Sequence, residues 1–194
     1  LYTRANANGV DLNRDAIALS QPESSVLRGL YESINPDLCL NLHGQRTIYA
    51  AGNGGPSASL SFLAPAANEE RSLTDARKEA MLLISAITQG LSGELPDAIG
   101  RYDDSFNPNC VGDSFIQSET PTLLFEAGHI PGDYQREQTR AYIFKAYKLL
   151  FEQLLNPKHF ELDDYLNLPQ NTVEFCDLIV SGVRIFDNGT QKED

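Results

Sequence analysis

The chain has 194 residues, a hydrophobic content of 41%, a charged content of 22% and a net charge of −12. That is one domain's length with an ordinary globular composition, so it can bury a core and is not expected to be disordered. The acidic surplus argues against nucleic acid or an anionic membrane as partner, since both require a basic footprint, and no apolar run approaches the ~20 residues of a membrane-spanning helix.

The first ordered feature is Asp11 to Asp15, where Gly9 and the Asn and Asp residues predict a tight turn. From Gln21 to Asn35 the pattern places Val26, Leu27, Leu30 and Ile34 on one helical face, with Pro22 and Glu23 as a start and Pro36 as a stop. Asp37 to Leu42 then reads as a buried strand delivering His43 and Gly44 at its end. A helix feeding straight into such a strand is an α/β arrangement. Thr47 to Pro56 is glycine-rich but lacks the lysine of a phosphate cradle. Ser59 to Pro65 is a short strand or an extended edge.

Asn68 to Leu91 carries a helical signature, with Asn68 as cap, Glu69 and Glu70 in the first turn, and Met81, Leu82, Ile84, Ile87 and Leu91 apolar. Pro121 to Glu126 is a strand buried on both faces, and Glu126 sits where it leaves the sheet. A carboxylate there is costly unless it has work to do, so Glu126 is either a catalytic group or a cap for the following loop. His129 begins that loop and reads as a backbone partner rather than a ligand. Tyr134 to Leu155 is an amphipathic helix broken at Asn156-Pro157. Two short strands are expected around Ser181-Gly182, and Gly189 to Asp194 is expected to fray. The three cysteines, Cys39, Cys110 and Cys176, show no metal-ligand spacing, and their odd number disfavours a disulfide framework.

Three stretches together, NGVDLNRD from Asn8, DLCLNLHGQ from Asp37 and TPTLLFEAGH from Thr120, resemble the zinc carboxypeptidase family of the carboxypeptidase A/B type. Their order and spacing fit as well, with His43 30 residues after Asn13 and Glu126 a further 83 on. The resemblance covers roughly residues 6–155. It implies a mixed, mostly parallel sheet flanked by helices on both faces, as a partial catalytic domain at 1–166 with a loop over the pocket from Ile99 to Ser118; residues 167–194 lie outside the resemblance and read as a strand or hairpin extension with a frayed tail. It implies that Asn13 and Arg14 grip a substrate's terminal carboxylate, that His43 is a zinc ligand, that Glu126 is the general base and that Tyr102 is the nearest candidate for a phenol closing on the substrate.

The family's first two zinc ligands form an H-x-x-E signature ahead of the Asn-Arg segment, together with a further arginine that polarises the scissile carbonyl. No H-x-x-E occurs here: Arg46, Gly132 and Leu162 stand three places after the three histidines. The chain therefore reads as the C-terminal portion of a longer zinc-dependent hydrolase, with one ligand matched, two expected upstream, weak zinc binding at most and no peptidase activity of its own. Two rival readings stay open. One is a non-catalytic binder of peptide or glycan termini; the other is a metal-dependent amidohydrolase acting on cell-wall peptides or N-acyl amino acids. If strands are missing upstream, an exposed sheet edge offers a route to dimerisation.

Overall fold

The structure, a computed structural model, describes residues 3–178, 180, 182, 184–187 and 190–193. Pro22 in the first turn starts α1 (Pro22–Ile34), which closes on Asn35 in the left-handed region. There follow β1 (Cys39–Gly44), β2 (Tyr49–Ala51), β3 (Leu60–Leu63), α2 (Asp75–Leu91), β4 (Ile99–Arg101), α3 (Val111–Gln117) and β5 (Thr122–Ala127). After them come α4 (Glu137–Leu155), α5 (Leu162–Leu166), β6 (Asn171–Val173), β7 (Arg184–Asp187) and β8 (Thr190–Glu193).

One four-stranded sheet runs in the order β1-β5-β3-β4. β1 lies parallel to β5 and β3 parallel to β4, while β3 meets β5 antiparallel. The chain is thus α/β, with a mixed and mostly parallel sheet. Side chains alternate across it. Leu60, Phe62, Leu123 and Phe125 enter one core with Ile84, Ile87 and Leu91 of α2 and Ala146 and Leu150 of α4. Each large side chain so buried contributes about 1.5–3 kcal/mol, which makes this layer the main source of stability. On β5, Thr122, Leu124 and Glu126 alternate with the core-facing Leu123 and Phe125, and so point to the opposite face.

Several elements depart from the sequence expectation. β1 is not buried: it has β5 on one side and no strand on the other among the described residues, and Leu42 is 58% exposed. The apolar stripe of α1 shares that fate, with Val26, Leu30 and Ile34 all exposed. β3 is the reverse case, fully buried and flanked by strands on both sides rather than an edge. α2 begins at Asp75 because Thr74 accepts a hydrogen bond from the Arg77 N–H, while Asn68 closes a separate turn onto Ser72. α4 starts at Glu137, not Tyr134, since Arg136 adopts a left-handed φ of 60°.

The stretch read as a loop between Ile99 and Ser118 contains both β4 and α3, each too short to leave a periodic signature. β7 and β8 pair antiparallel, so Thr190 to Glu193 is strand rather than fray, while the expected turn at Ser181-Gly182 falls partly outside the described residues. Upstream of it, β6 pairs with β2 inside the glycine-rich stretch.

Candidate functional site

In register, His43 of β1 lies directly beside Glu126 of β5, and Ser61 of β3 lies on the other side of Glu126. These three residues therefore form a row across the sheet on the face opposite the main core. The row is held from above by Asn171, whose amide donates to Ser61 Oγ at 3.0 Å and to Gln45 Oε1 at 2.7 Å. Gly100 makes that approach feasible, because a Cβ there would stand 1.9 Å from Asn171 Oδ1.

Glu126 is only 6% exposed, and its Oε2 has no hydrogen-bond partner. Burial without a partner disfavours the charged form, and the pKa rises to about 7; Arg4 nearby pulls modestly the other way. The loop-capping alternative fails on the same evidence, since a cap would accept backbone N–H groups. His43 places Nε2 3.0 Å from Asn41 Oδ1. Its pKa is lowered by burial first, then by the Arg4 and Arg14 guanidiniums, so the imidazole is neutral near pH 7 and able to accept a proton or a metal bond.

The Asp11–Asp15 turn is a short 3-10 helix over Leu12–Arg14, capped by Asp11 accepting from the Asn13 N–H. Asn13 Oδ1 accepts from the Val111 N–H at 3.0 Å, which ties the turn to the start of α3 and leaves the Asn13 amide nitrogen for a ligand. Arg14 donates to the Asn13 carbonyl at 2.7 Å and to Cys110 Sγ at 3.0 Å. Pairing of Arg14 with Asp11 or Asp15 does not occur: Asp11 pairs with Arg4, and Asp15 accepts from Ser20 and the Gln21 N–H. Arg14 thus has no carboxylate partner among the described residues.

Arg14, His43, Glu126, Asn13 and Tyr102 all line one cavity of about 330 Å³. Residues far apart in the chain are brought to one rim, as the three sequence stretches require. A second cavity of about 810 Å³ shares Asn13, His43, Tyr102 and Glu126 with the first. Tyr102 sits at the junction, anchored by its N–H to the Phe62 carbonyl at 3.0 Å. Burial, then the neighbouring Tyr49 hydroxyl, raises its pKa, so the phenol stays a proton donor. His129 lines neither cavity; its ring packs near Tyr134.

Sequence reasoning missed Arg4, which lines both cavities. Its position nine residues before Asn13 was the available signal. It also missed Arg46 and Asn171, which no motif marks. Asp113 lines the smaller cavity; burial raises its carboxyl to about 6, although it accepts from the Asn107 N–H.

As a metal centre the donor set falls short. No group of three or more His, Cys, Asp or Glu residues that could hold an ion occurs among the described residues. His43 and Glu126 alone do not meet the three protein ligands of a catalytic zinc.

The fold and this cavity define an α/β protein with a buried proton-holding carboxylate, a neutral imidazole and an unpaired arginine in one pocket. No family model matches the chain, and no curated protein or solved structure matches it either.

Proposed function

We propose that the chain carries the carboxylate-binding and proton-transfer part of a zinc carboxypeptidase-like hydrolase, which removes C-terminal residues from peptides. One observation carries the reading: Glu126, buried with an unpartnered oxygen, shares a cavity with Arg14, whose guanidinium lacks a carboxylate. Arg14 offers a planar fork that grips a terminal carboxylate in two places, and the Asn13 amide adds a donor. With the carboxylate so fixed, the last peptide bond falls toward Glu126. The Glu126 carboxylate takes a proton from the attacking water and delivers it to the leaving amine, a role suited to a pKa near the working pH. Arg4 at the shared rim is placed to polarise the carbonyl oxygen. Zinc would supply the Lewis acid in such a reaction. His43 is one donor toward it, and since the set in this chain is incomplete, no step is derived through the metal.

That incomplete set favours a second reading, a binder of free carboxyl termini without turnover. A peptide with a free C-terminus and its C-terminal amide separate both readings from neither. Calorimetry should show binding of the free acid over the amide, and Arg14→Gln should weaken it about 10–100-fold, the worth of a charge-assisted pair. Equal binding of acid and amide would remove Arg14 from the site. Release of the terminal amino acid on adding zinc, lost in Glu126→Gln, selects the hydrolase.

A further inference from the structure

The two cavities around Glu126 are arms of one site, and each contains an arginine that the other lacks: Arg14 in the smaller, Arg46 in the larger. Arg46 lies two strand-end residues beyond Gly44. Its neighbour Gln45 is buried and fixed at both ends, its N–H donating to the Ala127 carbonyl and its side chain bonded to Ala58 O and Asn171 Nδ2. The guanidinium itself stands 6.0 Å from the Tyr49 ring centre, and Tyr49 packs edge-on against Tyr102 at 5.6 Å. An aromatic shelf thus directs Arg46 along the wall of the larger arm.

Arg46 has no ion pair among the described residues. The acids lining that arm are Asp11 and Glu126. Asp11 is taken by Arg4 at 3.1 Å, and Glu126 belongs to the proton chemistry. Of the two arginines lining that arm, Arg4 is therefore held by Asp11, and Arg46 is left without an acid among the described residues.

We propose that Arg46 forms a second anion subsite, so that the preferred ligand is a peptide bearing an acidic side chain on the acyl side of the bond that faces Glu126. The inference rests on the carboxylate-binding reading of Arg14, which sets the direction of the peptide. With its terminus at Arg14, the chain leaves through the larger arm, and its first or second preceding side chain passes Arg46. The substrate is then recognised as a dianion held at both ends, with the scissile bond between.

The test compares acetyl-Glu-Glu-Leu with acetyl-Gln-Gln-Leu, which differ in charge alone, by calorimetric titration of the purified chain. The acidic peptide should bind about tenfold tighter at low salt, the order expected of one charge-assisted contact, and the ratio should shrink as salt screens it. Arg46→Gln should bring the ratio to about one, with the loss falling on the acidic peptide. Arg46→Lys, which keeps the charge, should retain part of the preference. Arg14→Gln should weaken both peptides alike. Equal affinities in the wild-type chain, or a preference that survives Arg46→Gln, would overturn the subsite while leaving Arg14 in place. If Arg14→Gln leaves both affinities unchanged, or neither peptide binds, the proposal falls together with the reading it rests on.

Discussion

Near pH 6 Glu126 holds a proton in the folded chain that it would release in the unfolded one, because its Oε2 is buried without a hydrogen-bond partner. Its folded pKa of about 7 lies above the ordinary 4.5, so the sign is fixed. Below about 4.5 both states are protonated and nothing is lost. As pH rises from 4.5 through 7 the unfolded state gives up its proton first, and stability falls by roughly 2–3 kcal/mol. Glu126→Gln keeps the shape and removes the charge. Its melting temperature should match the wild type near pH 4.5 and exceed it at pH 8, by an amount worth roughly 2–3 kcal/mol. Parallel melting curves for the two proteins across that range would mean the carboxyl ionises as freely as one in water. The same residue would thus cost stability and provide the proton chemistry.

Among the elements, the loop after β4 shows how the site is kept in shape. Arg77 of α2 is 3% exposed and donates to the Ala64 carbonyl, the Arg71 carbonyl and Asp104 Oδ2, the last at 2.7 Å. One buried guanidinium therefore joins the segment after β3 to the segment carrying Tyr102 and Asp103. Arg77→Met keeps most of the volume but leaves two carbonyls short of a donor and Asp104 with the more exposed Arg71 alone. We expect a loss of about 2–4 kcal/mol in denaturant unfolding, since a buried acceptor left without its donor costs about 1–3 kcal/mol. A change under about 1 kcal/mol would show the network to be solvated and weak. α5 plays a similar part, its buried Tyr165 accepting a hydrogen bond from the Ala64 N–H. The sequence did not disclose either tie, because a lone Arg in a helix pattern reads as surface and a five-residue helix has no period.

At the scale of the whole molecule the conspicuous feature is the β1 side. In the parallel ladder the Cys39 N–H donates to Pro121 O and the Gln45 N–H to Ala127 O, so Leu40, Leu42 and Gly44 present their backbone groups to the open edge. Leu27 of α1 lines a cavity together with Leu42 of that edge strand, and both are more than 40% exposed. An unprotected edge bordered by apolar side chains is a template for strand pairing. The purified chain should therefore self-associate in sedimentation experiments, and Leu42→Lys should shift it toward monomer. A concentration-independent monomer would show that the edge is inert in water. No helix among the described residues is long and apolar enough to cross a membrane. Sequence alone determined the elements whose signal is local: the Asp11–Asp15 turn, α1, the long amphipathic α2 and α4, and β5 with its apolar residues on both faces. It also marked Asn13, Arg14, His43 and Glu126, because short motifs carried them. Tertiary structure decided which strand is an edge and which is central, since β1 and β3 look alike as apolar runs and differ only in their neighbours. It likewise decided that Arg4 and Arg46 reach the cavity and that Asn171 bonds to Ser61 and Gln45, because such long-range contacts depend on sheet order, and sheet order is written in pairing energies summed over the whole fold rather than in any one stretch.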